Sequence, residues 1–194
     1  MYWYALFVKT GEEISIKEFF SRMFQTNQIE CLIPKRKVPE RNGGIVTDVI
    51  RNLYPGYVFI RANMNFSLYY QIKENPFIYK LLNYTSNKDK KSYCPLNTCF
   101  DEISAAQESD YFKSIPPEEM STVLKLLNQQ HVIDYSQVFI KNSKVHVQSG
   151  PLIGQEEIIK KIDFRKNRAK VSLPFLGGEK IVDLGIEVIG REST

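Results

Sequence analysis

The side chains best suited to chemistry in this chain are cations. Lys35, Arg36 and Lys37 are consecutive, Arg41 and Arg51 follow within a short span, and Lys160, Lys161, Arg165, Lys166 and Arg168 form a second group. Guanidinium and ammonium groups this dense can track nucleic-acid phosphates and give salt-dependent affinity. For Lys35 to Lys37 the alternative is a solvated guard on an exposed sheet edge. A second unusual set is aromatic: NLYPGYVFIR, residues 52 to 61, places two tyrosines, a proline, a glycine and a phenylalanine where a loop enters a strand.

Catalysis finds no comparable footing. The chain lacks G-x-x-x-x-G-K-[ST], H-E-x-x-H and G-x-S-x-G, so phosphate-loop, zinc-protease and serine-hydrolase chemistry are not indicated. His131 and His146 lie far in sequence from Cys31, Cys94 and Cys99, and three cysteines leave an odd thiol in any pairing. Neither an enzyme nor a cofactor or metal site is expected.

The net charge of +4 is unevenly spread. Residues 1 to 91 hold 14 Lys/Arg against 8 Asp/Glu, residues 92 to 130 hold 2 against 6, and residues 143 to 194 hold 9 against 7. This favours a polyanionic partner on one surface, or an ordinary solvated surface. No run of eighteen apolar residues and no signal-peptide pattern occurs, so a soluble cytoplasmic protein without a membrane partner is expected.

These residues must be positioned by a recognisable order of elements. Trp3 to Lys9 reads as a buried strand. Thr10 with Glu13 has capping-box spacing, and Ile16, Phe19, Phe20, Met23 and Phe24 then mark one helical stripe. Glu30 to Val38 reads as a strand that Pro34 confines to an edge or a terminus. Asn42-Gly43 is a turn signal, and IVTDVI after it is either a hairpin arm or a mobile loop. Tyr57 to Arg61 is a strand, Phe66 to Glu74 a helix stopped by Asn75-Pro76, and Ile78 to Leu82 a strand. That order is a split βαβ, or ferredoxin-like, pattern.

Residues 86 to 113 read as an excursion from this fold. Pro116-Pro117 begins a helix with Met120, Val123, Leu124 and Leu127 on its apolar side. Residues 131 to 142 read as a linker, with Val138, Phe139 and Ile140 able to extend a strand. From 143 onward VHV, IIKKI, AKVSL, KIVDL and IEVI are five short β segments, which suggests a small barrel.

Trp3-Tyr4, Tyr54-Pro55-Gly56-Tyr57-Val58 and the downstream V-x-V-x-x-G-P together resemble the NusG family of transcription elongation factors. The resemblance spans the chain and implies an α+β protein: a ferredoxin-like NGN domain over 1-130 with an insertion near 86-113, a linker over 131-142 and a five-stranded KOW β-barrel over 143-194. Glu157 stands where the KOW loop usually has glycine. The insertion and the basic front half are most similar to the LoaP antiterminators among specialised paralogues.

Several expectations follow from that resemblance. Phe7, Tyr54, Pro55, Tyr57 and Phe59 match the face that docks on the β′ clamp helices of bacterial RNA polymerase. Tyr69 and Tyr70 match a second contact, to the β gate loop, or they pack the helix. The basic residues match recognition of a nascent RNA hairpin, and the KOW segment of a general NusG would meet a ribosomal protein or Rho. The factor would act as a monomer. A separate reading takes GYVFI as the aromatic strand of an RRM-like module, whose exposed rings would stack on bases.

Overall fold

Pro34 decides how the chain is apportioned. Instead of one strand over residues 30 to 38, the computed structural model has β2 (Ile29–Leu32) and β3 (Lys35–Asn42) in two different sheets. Pro34 has no N–H for a ladder and restricts the residue before it, so pairing ends on one sheet and restarts on another. Residues 1–82, 111–141 and 144–192 are described. The expected insertion therefore lies outside the described residues except for 111 to 113, as do Cys94 and Cys99.

The chain forms two compact units, Met1–Ile33 with Pro55–Pro117 and Pro34–Tyr54 with Glu118–Thr194. They interleave in sequence, so they do not divide at the boundary expected near residue 130.

The first unit holds β1 (Tyr2–Val8), α1 (Glu13–Met23), β2, β5 (Tyr57–Ala62), α2 (Phe66–Lys73) and β6 (Ile78–Leu82). Its sheet runs β2-β5-β1-β6 with every neighbouring pair antiparallel. With a helix after its first and third strands, this is the split βαβ order. Tyr4, Leu6 and Val8 alternate onto one face with Val58 and Ile60, where Ile16, Phe20 and Phe24 of α1 and Ile72 of α2 complete a core. Met23, placed on the helical stripe by its spacing, is 54% exposed. The helix reaches its last turn there, and Phe24 closes the core instead.

The expected capping box at Thr10 does not form. Glu12 is the N-cap residue and makes no side-chain cap bond. Glu13 points inward and serves a different segment, described below.

In the second unit, β3 pairs with β4 (Ile45–Asn52) in a regular hairpin. The two-residue Gly43-Gly44 loop, with φ of 57° and 87°, supplies the left-handed turn that matches strand twist. The short β7 (Val132–Ile133) adds on the other side of β3. The helix α3 (Pro117–Leu126) starts at its proline and buries Met120, Val123 and Leu126. Leu126 takes the place expected of Leu124, which is exposed.

The other sheet of this unit has order β10-β11-β12-β8-β9, from β8 (Ser136–Lys141), β9 (Lys144–Ser149), β10 (Ile159–Asp163), β11 (Arg168–Phe175) and β12 (Gly178–Glu192). The number of strands matches the expectation but their composition does not. The expected linker supplies β8, and KIVDL and IEVI fuse into one fifteen-residue strand. Val138, Ala169, Val171, Leu173, Val182, Leu184 and Ile186 are buried here.

Candidate functional site

The aromatic segment at 52 to 61 divides at its proline. Tyr54 is 1% exposed, its ring 4.5 Å from that of Phe175 and capped by the Lys180 ammonium at 5.7 Å. Burial pushes its phenol well above the ordinary range, and Glu119 adds to the shift. Tyr54 is thus a core ring of the second unit.

Beyond the exposed Pro55, the chain turns through Gly56 at φ +81°. The turn is fixed from three sides. Val8 donates its N–H to the Gly56 carbonyl at 2.9 Å, Gly56 donates to Glu13 Oε1 at 2.7 Å, and Gly11 donates to Glu13 Oε2 at 2.8 Å. A Cβ on Gly56 would lie 3.0 Å from the rotatable Thr10 hydroxyl and 3.6 Å from the Val8 carbonyl oxygen, so it is the positive φ that calls for glycine here.

This turn launches β5 with Tyr57 opposite Phe7 of β1. Their ring centroids are 5.6 Å apart, and Tyr79 on β6 completes the group, 5.7 Å from Phe7. Phe7 is 40% exposed and Tyr79 51%, on the sheet face opposite the helices. Tyr79 was missed by sequence reasoning, and the alternation of the short strand 78 to 82 was the signal that could have found it. Phe59 lies on the same face by alternation but is 3% exposed. The expected docking residues therefore split into Phe7, Pro55 and Tyr57, which reach solvent, and Tyr54 and Phe59, which do not. Of the two rings in GYVFI, which the RRM-like reading would stack on bases, Phe59 is buried and Tyr57 is half-exposed.

On α2, Asn65 caps the helix by accepting the Leu68 N–H at 2.7 Å. Tyr69 packs on Phe112 at 5.5 Å, whereas Tyr70 is exposed. The packing alternative for this pair thus describes Tyr69, while Tyr70 reaches solvent.

The basic clusters differ in how far their charge is already used. In the first, Arg36 donates to the Asp183 carbonyl, and desolvation lowers its pKa against the pull of Asp183. Lys37 lies 3.4 Å from Asp48 and 3.6 Å from Asp134, over the ring of Tyr135. Tyr135 in turn donates its hydroxyl to Asp48 at 2.8 Å. Arg51 grips Glu40 with two nitrogens, at 3.1 and 2.8 Å. Among the described residues, Lys35, which is half-buried, and Arg41, which is exposed, have no such partner. In the second, Arg168 donates twice to the Pro39 carbonyl and sits 3.8 Å from Asp183. Lys160, Lys161, Arg165 and Lys166 are exposed.

Among the described residues no group of three or more His, Cys, Asp or Glu could hold a metal. Burial pushes the Cys31 thiol up to about 12, which removes it as a nucleophile. No helix of the described residues is long and apolar enough to cross a membrane.

Comparison with known proteins supplies what geometry alone does not. The family model described as "Transcription termination factor nusG" matches residues 1–99, half of the chain. The chain belongs to the NusG family. Its curated NusG relatives include the transcription termination/antitermination proteins of Haemophilus influenzae, 23% identical over 94% of this chain and 89% of the relative, and Buchnera aphidicola subsp. Baizongia pistaciae, 25% identical over 97% and 95%. A solved structure described as "Domain interaction in Thermotoga maritima NusG" is similar in fold, with TM-score 0.50 and 19% identity over 95% of this chain and 93% of that one. Members of the NusG family are transcription factors and not enzymes, in agreement with the missing catalytic motifs.

The V-x-V-x-x-G-P segment has a physical reading in its backbone. Gly150, at φ +94°, would place a Cβ 2.5 Å from the Tyr135 carbonyl oxygen and 2.7 Å from Ser136 Cα. Ser136 is buried, and its hydroxyl accepts the Leu152 N–H at 3.0 Å. The motif thus marks a backbone crossing that only glycine permits.

Proposed function

We propose that this chain is a specialised NusG-type processive antitermination factor. It binds bacterial RNA polymerase, suppresses pausing and termination, and is recruited to its transcripts by a nascent RNA hairpin. The observation that carries the reading is the solvent-facing Phe7, Tyr57 and Tyr79 group in a NusG-family chain. Large rings held on adjacent strands offer contact area with little freedom left to lose, as a docking face requires. The clamp helices of the β′ subunit are its partner, with Tyr70 available for the gate loop. The factor is a cytoplasmic monomer.

The test is co-elution of the purified chain with bacterial core polymerase on a sizing column, followed by transcription through a terminator. Wild type should co-elute and raise read-through, and Phe7→Ser with Tyr57→Ser should lose both while keeping a native circular dichroism spectrum. Co-elution unchanged in that double variant overturns the face.

The names of the relatives, which couple termination with antitermination, favour a second reading as a general NusG elongation factor. Read-through that needs no leader RNA on any template would select it.

A further inference from the structure

The β10–β11 hairpin concentrates charge that no acid among the described residues neutralises. Residues 160 to 170, KKIDFRKNRAK, hold six Lys/Arg and one acid, Asp163. Pairing puts Lys161 directly opposite Lys170, and a register shift between Ile159 and Lys161 leaves Lys160 beside them. All three are exposed. Like charges directly opposed across an antiparallel pair are destabilising, so this arrangement carries a cost in the isolated protein.

The nearby acids do not relieve it. Asp163 Oδ1 accepts the Lys166 N–H at 3.1 Å, which ties its carboxylate to the turn. Asp183, opposite Lys170 on β12, lies 3.8 Å from Arg168. Among the described residues, Lys160, Lys161, Arg165, Lys166 and Lys170 make no ion pair, with Glu156 or Glu157 or any other acid. The first basic cluster differs, since Lys37 and Arg51 are matched by carboxylates of their own hairpin or, for Asp134, of the segment just after β7.

The tip is also fixed in place. Asn167 takes a left-handed conformation at φ 49°, and its carbonyl accepts the Ile186 N–H at 3.0 Å. Arg165 and Lys166 therefore project from a turn held at both ends, next to the exposed ring of Phe164.

We infer that the outer face of this hairpin, Lys160, Lys161, Lys170 and the Arg165-Lys166 tip, is the surface that binds the phosphate backbone of RNA, and that the β3–β4 cluster is not. The inference rests on the reading above that an RNA recruits the factor. Lys170, which no sequence motif singled out, belongs to the surface through register alone. Backbone contacts of this kind fix position without reading sequence, so base recognition falls to other groups.

The test is fluorescence anisotropy of the full chain with a labelled mixed-sequence single-stranded RNA, titrated between about 50 and 200 mM salt. Five phosphate contacts predict a slope of log affinity against log salt of about −3 to −4 for wild type. Lys161→Glu with Lys170→Glu should weaken binding at least about tenfold and flatten the slope by about 1 to 2, with an unchanged circular dichroism spectrum. Lys35→Glu with Arg41→Glu, the half-buried and the exposed cation left over in the first cluster, should stay within about twofold of wild type. RNA binding that survives the first variant, or is lost only in the second, overturns the assignment while leaving an RNA-recruited factor standing. A wild type that binds no RNA overturns it too and leaves the patch to an acidic protein. Polymerase co-elution of the same Lys161, Lys170 variant separates the two levels: it should be retained, and a wild type that fails to co-elute removes the parent reading instead.

Discussion

The buried carboxylate of Glu13 accepts the Gly56 N–H at 2.7 Å and so ties the start of α1 to the turn that enters β5. Its second oxygen holds Gly11, which leaves no part of the carboxylate idle. The bond spans 43 residues of sequence and fixes the turn from which Tyr57 departs to meet Phe7. The face proposed for docking is thus held in place by the fold itself.

Removing that carboxylate should therefore act twice. Glu13→Ala strands two N–H groups, the one on Gly56 buried, and should destabilise the chain by about 2–4 kcal/mol in urea unfolding, with Glu13→Gln costing about half as much because one acceptor remains. At temperatures where the Gln variant is still folded, polymerase affinity should fall although the variant touches no exposed ring. Equal stability of wild type and Glu13→Ala would show that the two bonds carry nothing.

Tyr54 and Tyr57 should separate cleanly although they flank the same Pro-Gly pair. Tyr54→Ala removes a ring packed on Phe175 and should cost about 3–5 kcal/mol by thermal or urea unfolding. Tyr57→Ser removes a half-exposed ring and should cost less than about 1 kcal/mol while weakening polymerase binding. A polymerase defect in Tyr54→Ala is thus interpretable only beside its unfolding curve.

The Glu40 and Arg51 pair sets a pH dependence. Its hydrogen bond to Arg51, then the nearby guanidinium charges, hold the Glu40 carboxylate below its ordinary value of 4.5 in the folded chain. A depressed folded pKa contributes stability above the unfolded value and loses it as pH falls through the folded one. The urea midpoints of wild type and Glu40→Gln should accordingly differ at neutral pH, converge below the ordinary carboxylate range, and differ less at high salt because the pair is exposed. A gap that stays constant from pH 7 to acid would exclude the pair as its source.

How much of this was legible in the sequence varied with the range of the interaction. The helical stripe of Ile16, Phe20 and Phe24, the turn signalled by Asn42-Gly43 and the first four-strand order follow from local periodicity and turn chemistry, whereas the strand after that turn stayed open between a hairpin arm and a loop. Tyr54 did not, because its burial depends on Phe175, more than a hundred residues away. The partners of Arg36 and Lys37 were equally hidden, since Asp183 and Asp134 meet them only after β3 has left the first sheet. Charge clusters are visible in sequence, but their neutralisation is a tertiary property. Glu13 shows the same limit at short range, where its spacing from Thr10 matched a cap and a backbone N–H 43 residues on took the carboxylate instead.

Gly185 offers the sharpest test of the long strand. Sequence spacing made it a turn between two strands, yet β12 runs through it, opposite Arg168 of β11. It is glycine because the Tyr135 ring and the Lys37 carbonyl approach too closely for a side chain: a Cβ would lie 2.5 Å from Tyr135 Cε1 and 2.6 Å from Lys37 O. The ring could rotate away, but the carbonyl belongs to the β3 backbone. Gly185→Ala should therefore destabilise the chain by about 1–3 kcal/mol or more, against the small gain alanine brings in an open strand. Adding Tyr135→Ala should recover only part of that loss, because the clash with the backbone oxygen persists. A neutral Gly185→Ala variant in urea unfolding would mean that β3 does not lie against this strand in solution.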